Sequence, residues 1–126
     1  MTDRGVATSI RTSRALVAHE DGRIAGTLRL ATKKPWAIDR AYFADVKRPL
    51  YLTDMAVLPA RQRSGIGRFL LAEAETLARQ WPGDSIRLDA YDAPAGAGPF
   101  YTKCGFRQVG RKSYRGVPLL YFERLL

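Results

Sequence analysis

The chain has 126 residues, 46% of them apolar, which suits one globular domain. Its net charge is +9, from 21 Lys and Arg against 12 Asp and Glu, and its single cysteine, Cys104, excludes an internal disulfide framework. No apolar run is long enough to span a membrane and no secretory leader is recognisable, so the cytoplasm is the expected location.

Residues 1–12 are polar, with only Val6, Ala7 and Ile10 able to pack, and read as a mobile arm or a poor edge strand. Regular structure is expected from about residue 14. Residues 14–20 form a strand, Asp21-Gly22 a hairpin turn, and residues 23–32 the return strand with Ile24, Leu28 and Leu30. His19, the only histidine, falls on this hairpin as a surface residue. Residues 37–48 are mixed, either a short helix or a loop that turns aromatics inward, and Pro49 ends them. A connection this long is often functional.

Residues 50–58 read as the central strand, closed by Pro59, and residues 66–81 as a long amphipathic helix with Ile66, Phe69, Leu70, Leu77 and Ala78 at helical spacing. Pro82-Gly83 stops that helix. Residues 85–91 form the next strand, in which Ile86, Leu88 and Ala90 alternate with Arg87, Asp89 and Tyr91. Strand, helix, strand implies a right-handed crossover and a parallel pair. A turn-rich run, a short helix at 100–105 and strands at 106–112 and 118–126 complete the chain.

The junction from Arg61 to Arg68 is the most informative stretch. It delivers a helix N-terminus, with its unpaired N–H groups and partial positive charge, beside Gly65 and Gly67. Neither glycine has a Cβ, so a bulky anion can reach the backbone, and Arg61, Arg63 and Arg68 add positive charge. The bland alternative is tight strand–helix packing. Arg68-Phe69 after the last glycine excludes a Walker loop, and Leu70 excludes a dinucleotide fingerprint. The basic charge reads as scattered along the chain. With no helix-turn-helix, zinc or RNP signature, attraction of a polyanionic cosubstrate explains it better than nucleic acid. No metal is expected.

Gln62-Arg63-Ser64-Gly65-Ile66-Gly67 resembles the Gln/Arg-x-x-Gly-x-Gly/Ala signature of the Gcn5-related N-acetyltransferase (GNAT) superfamily. Phe100-Tyr101-Thr102-Lys103-Cys104-Gly105-Phe106, with Ala97 before it, resembles that family's Phe-Tyr-x-Lys-x-Gly-Phe motif. The two motifs stand in the family's order, and the likeness runs from about residue 14 to 126, as in a bacterial member lacking the usual N-terminal strand and helices. The fold implied is a single α/β (α+β) domain over residues 1–126. Its sheet is mixed and mostly antiparallel, strands 4 and 5 form a splayed parallel pair, a long helix follows strand 4 and a short one strand 5.

The resemblance also implies acetyl-CoA as cosubstrate and direct attack of a small-molecule or peptide amine on its thioester. Gln62, Arg63, Ser64, Gly65, Ile66, Gly67 and Arg68 would hold the diphosphate. Met55, Ala56 and Val57 on strand 4, with Ala97 and Tyr101, would line the pantetheine arm. Tyr101 matches the tyrosine that protonates the departing thiolate, or else lines the tunnel. Asp54 is the candidate base, or else an aspartate that orients backbone or attracts the amine. Trp36, Tyr42 and Phe43 are candidate acceptor contacts or core filling; Asp89, Asp92 and Glu123 are further carboxylates for a cationic amine. Cys104 reads as buried and inert.

The sequence departs from the family pattern at Pro94, where an asparagine is usual, and in the short N-terminal region, which normally walls the acceptor pocket. A CoA-binding module without turnover is therefore the alternative function. A partner could supply the missing wall, and the sheet edge it leaves open predicts a homodimer.

Overall fold

The computed structural model describes residues 2–9 by their backbone and residues 12–126 with side chains. Thr2–Ser9 (β1) lies antiparallel to Ser13–Glu20 (β2). Asp21 and Gly22, at φ 53° and 76°, return the chain into Arg23–Ala31 (β3). Of the two readings of the first twelve residues, the edge strand is the one found, as β1 at the end of the sheet, and residues 10–12 alone separate it from β2. The packing expected of Val6, Ala7 and Ile10 concerns side chains outside those described.

Pro49–Val57 (β4) pairs antiparallel with β3. Ile66–Gln80 (α1) then crosses over to Ser85–Tyr91 (β5), which is parallel to β4. Gly98–Lys103 (α2), Arg107–Tyr114 (β6) and Val117–Leu125 (β7) follow, the last two joined through Arg115 and Gly116 at positive φ. The sheet order is β1-β2-β3-β4-β5-β7-β6. Helix α2 starts at Gly98 with Pro99 in its first turn, where a missing N–H costs nothing. Among the described residues no helix is long and apolar enough to cross a membrane.

The two faces of the sheet carry separate cores. Alternation along β2 to β5 sends Leu16, Leu28, Leu30, Leu50, Leu52, Ile86 and Leu88 to one side, where Ile66, Leu70, Leu71, Ala74 and Ala78 of α1 cover them. On the other side Ile38, Phe43, Tyr51, Leu119 and Tyr121 form a smaller cluster. The 32–48 connection supplies its cover. It is mostly a loop, with one 3-10 turn at Arg40–Tyr42 capped by Asp39, whose Oδ1 accepts the Ala41 N–H at 3.0 Å.

A buried ion pair pins this cover. Arg87 and Glu123 are 4% and 3% exposed. The Arg87 Nε–H donates to Glu123 Oε2 at 3.1 Å, as does the Ser85 hydroxyl at 2.6 Å, and Glu123 Oε1 accepts the Ala44 N–H at 2.9 Å. The rest of the guanidinium donates to Tyr51 OH at 3.1 Å and the Ala44 carbonyl at 2.6 Å. Every charge is satisfied, as burial demands. Glu123, a candidate partner for a cationic amine by sequence, is consumed here.

Candidate functional site

The parallel pairing of β4 and β5 is short. It runs Pro49↔Ser85, Leu50↔Ile86 and Tyr51↔Arg87 and stops. Beyond Tyr51, β4 continues to Val57 with no strand on its β5 side, while β5 stays in register with β7 through Tyr91↔Leu119. The two strands form a wedge whose β4 wall carries an unpaired backbone edge. Such an edge accepts an extended ligand as if it were another strand.

The top of the wedge meets the loop before α1. Leu58 donates its N–H to the Ala25 carbonyl, one 3-10 turn covers Pro59–Arg61, and Arg63 and Gly65 then take left-handed φ of 66° and 91°. A Cβ on Gly65 would meet nothing within 4 Å, so the loop is open on that side. The N–H groups of Arg63, Ser64, Gly65, Ile66, Gly67 and Arg68 donate to no described residue; the helix ladder begins with Phe69 N–H to Gly65 O at 2.9 Å. These donors and the helix dipole form an anion cradle. Its framing is specific. Gln62 Nε2 donates to the Val57 carbonyl at 3.3 Å, Ser64 hydroxyl donates to the Arg61 carbonyl, and Arg61 is bound to Glu20 on β2. Arg61 is therefore a strut rather than a free cation, whereas Arg63 and Arg68 are exposed.

Gly67 has a packing reason. A Cβ there would lie 2.9 Å from Phe100 Cζ and 3.5 Å from Met55 Cε. Helix α2 thus abuts the first turn of α1, and Tyr101, on α2, reaches the wedge. Its ring packs against Phe100, Phe106 and Phe122 at centroid distances of 5.5, 5.8 and 5.8 Å, and its hydroxyl lies 3.7 Å from Met55 Sδ on β4. It is 7% exposed. Burial first, then the carboxylate of Asp89, pushes its pKa up to about 12, so the phenol holds its proton throughout the physiological range.

Asp54 occupies a β-bulge. The β3–β4 register shifts between Thr27↔Ala56 and Arg29↔Thr53, and Asp54 has φ 55°. The bulge turns Met55 and Val57 toward the α1 core and leaves Asp54, 76% exposed, on the opposite face, 3.6 Å from Arg29 Nε. Asp89 pairs with Tyr121 across β5–β7, so it shares that face, at the β5 side of the wedge. It is half-buried, and desolvation raises its pKa.

The fold therefore gathers Met55, Val57, Gly67 and Tyr101 around the wedge and strings Gln62 to Arg68 above it. Ile66 is buried, so only its N–H faces the cradle. Ala97 is the exposed N-cap of α2, and Ala56 is exposed on β4. Trp36, Tyr42 and Phe43 lie apart, on the 32–48 cover. Phe43 is core, tilted against Tyr121 at 5.3 Å; Tyr42 packs edge-on to Tyr121 at 5.3 Å; Trp36 is 86% exposed. Asp92 is bound to Arg111 at 2.8 Å. Cys104, partly buried at the end of α2, has its thiol pushed up by burial. The Arg87–Glu123 pair went unread because its partners lie on strands whose register only the fold supplies; alternation along β5 was the one signal that Arg87 and Asp89 share a face.

Among solved structures, a Desulfovibrio desulfuricans protein assigned to the GNAT acetyltransferases superposes with a TM-score of 0.71 at 24% identity, covering 90% of this chain and 69% of its own. A Bacillus anthracis protein described as a streptothricin acetyltransferase, solved with acetyl coenzyme A, gives 0.73 at 22%, covering 91% and 63%. An aminoglycoside 6'-N-acetyltransferase complexed with coenzyme A gives 0.70 at 15%, covering 90% and 73%. At these identities the likeness is one of fold, and this chain spans about two thirds of the relatives' length. No curated protein matches the sequence. The family model described as "Acetyltransferase (GNAT) domain" matches residues 11–108, most of the chain and both sides of the wedge. With that match and the shared fold, the chain belongs to the GNAT acetyltransferase family.

Proposed function

We propose that the protein is an acetyl-CoA-dependent N-acetyltransferase. One observation carries the reading: a strand edge left unpaired between β4 and β5 runs directly beneath a cradle of free N–H groups, with a buried phenol at the junction. The residues fit the cosubstrate. The cradle from Arg63 to Arg68 suits a diphosphate, with Arg63 and Arg68 beside it, and the free edge of β4 at Met55 and Val57 suits an amide-bearing arm. Two GNAT-fold structures that hold acetyl coenzyme A or coenzyme A support the same assignment.

In the transfer, the acceptor nitrogen forms a bond to the acetyl carbon, the carbon–sulfur bond breaks, and the thiolate takes the Tyr101 proton. Burial that holds the phenol neutral disfavours a bare thiolate in the same place, so the two pKa values move together and the transfer stays feasible. The amine attacks in its neutral form. The one proton its nitrogen sheds as the amide forms goes to Asp89, whose desolvated carboxylate is a stronger base than an exposed one, and proton exchange through solvent returns Asp89 to the carboxylate and Tyr101 to the phenol. Asp54 shapes the bulge beside it and, with Asp89, gives the open face of the wedge a negative rim.

The test is calorimetric CoA binding by wild type and Gly65→Glu, followed by thiol release from acetyl-CoA over a panel of amines. Loss of CoA affinity in the variant and amine-dependent release in the wild type are expected. Equal CoA binding by both proteins refutes the site. CoA binding without release for any amine favours a binding module, a reading motivated by the shortness of the link between β1 and β2, residues 10–12, which leaves Asp54 exposed.

A further inference from the structure

A second cleft lies elsewhere. It has a volume of about 940 Å³ and is walled by the 32–40 segment, the start of β4, the end of α1 and β6. Trp81 at the end of α1 lines it, whereas the anion cradle is at the start of the same helix. A helix of that length is about 22 Å long, so one diphosphate cannot occupy both.

The cleft is strongly basic. Lys34, Arg40, Lys47, Arg48 and Lys112 line it, against Asp39 alone. Asp39 is neutralised by Lys112 at 2.7 Å, and Lys34 is held over backbone carbonyls, its Nζ donating to Pro35 O at 2.9 Å. No hydrogen bond or ion pair joins the exposed side chains of Arg40, Lys47 or Arg48 to another described residue. Asp84 accepts the backbone N–H groups of Lys47 and Arg48, and Asp45 stands two residues before Lys47, so two carboxylates flank the cleft without lining it. Charge that looked scattered along the sequence is thus gathered by the fold.

The cleft is also aromatic. Trp36 stands 86% exposed at its wall, and Trp81 carries the Arg14 guanidinium 4.9 Å over its ring. An exposed indole beside unpaired guanidinium and ammonium groups is the combination that stacks a planar ring while neutralising phosphate. Tyr51, the last β4 residue paired to β5 before the wedge opens, also lines the cleft, although it is only 4% exposed.

We propose that this cleft binds the acetyl acceptor, and that the acceptor is an amine carried on a nucleoside phosphate, free or within single-stranded RNA. The assignment rests on the acetyltransferase reading above. The phosphate lies against Arg40, Lys47 and Arg48, the base stacks on Trp36, and the amine end points past Tyr51 toward the wedge. A polycationic amine is excluded from the cleft by like charge.

Both tryptophans of the chain line this cleft, so fluorescence excited selectively at tryptophan reports on it. With the cradle saturated by CoA, the protein is titrated with AMP, a single-stranded RNA octamer and an octaglutamate peptide. AMP and RNA are expected to quench; octaglutamate is not. A much tighter octamer points to nucleic acid, equal binding to a free nucleotide. The exposed double change Lys47→Glu/Arg48→Glu should weaken both nucleotide probes about tenfold or more with CoA affinity unchanged. With acetyl-CoA, N6-(6-aminohexyl)-AMP should release thiol faster than hexylamine, and the double variant should abolish that preference. No quenching, quenching equal to that by octaglutamate, insensitivity to the double change, or equal rates for the two amines overturns the proposal. If the nucleotide probes bind while Gly65→Glu leaves CoA binding intact, the acetyl-CoA site falls and the cleft remains a nucleotide site.

Discussion

Replacing Tyr101 by Phe separates its two roles. The ring stays and keeps its packing on Phe100, Phe106 and Phe122; only the hydroxyl goes, and with it a weak 3.7 Å contact to the Met55 sulfur. Stability at pH 7 should therefore change by less than about 1 kcal/mol. The alkaline range is different. A phenol whose folded pKa is raised from 10.0 to about 12 stabilises the fold fully below its unfolded pKa, and that contribution is lost as pH rises through the folded one. The shift corresponds to roughly 3 kcal/mol, lost by the wild type between about pH 10 and 12 and absent from Tyr101→Phe. Urea unfolding across that range measures it. All other ionisable groups are common to the two proteins, so the difference isolates this one. In the same variant kcat for thiol release should fall by about 10²-fold or more with CoA affinity unchanged. Parallel stability profiles would refute the buried-phenol argument, and an unchanged kcat would remove Tyr101 as the acid.

Glu123→Gln leaves Arg87 buried without its counter-charge and should cost about 3–5 kcal/mol by urea unfolding; a loss under 1 kcal/mol contradicts the pinning role. Asp89→Asn should act in opposite directions on stability and turnover. Because burial raises the Asp89 pKa, its charge opposes folding above that pKa, so the amide should raise Tm at pH 7 while removing the acidic limb of the kcat profile. Asp54→Asn keeps a residue tolerant of left-handed backbone and should retain turnover within a few-fold, whereas Asp54→Ala should lose both stability, by about 1 kcal/mol, and turnover. Equal loss in the two variants would favour Asp54 as the base over Asp89.

The parts of the site that follow from local chemistry were legible in the sequence. Gly65 and Gly67 announce a helix start open to an anion, and the alternation in 85–91 announces a strand, because both depend on neighbours a few residues away. The 32–48 segment was not legible. Whether Phe43 fills a core or Trp36 faces solvent depends on Tyr121 and Arg87, which lie far along the chain and reach this segment only once β5 and β7 are in register. The same limit hid the basic cleft. Lys34, Lys47 and Lys112 are neighbours only because the connection folds back over β6.

The wedge itself has a cause in one backbone conformation. Strand β5 is committed along its whole length to β7, from Ser85↔Leu125 to Tyr91↔Leu119. Strand β4 is likewise committed to β3, but with a bulge at Asp54 that inserts a left-handed residue and bends and twists the strand. A strand bent away on one side while its neighbour is held straight on the other cannot keep a parallel ladder, and pairing ends at Tyr51↔Arg87, just before the bulge. The bulge also sends Met55 and Val57 to the helix side and Asp54 to the other. One positive φ thus opens the gap, leaves the β4 edge unpaired, and divides the helix side of the strand from the other. Asp54 is informative at that position as the residue that makes the bend before it is considered as a base.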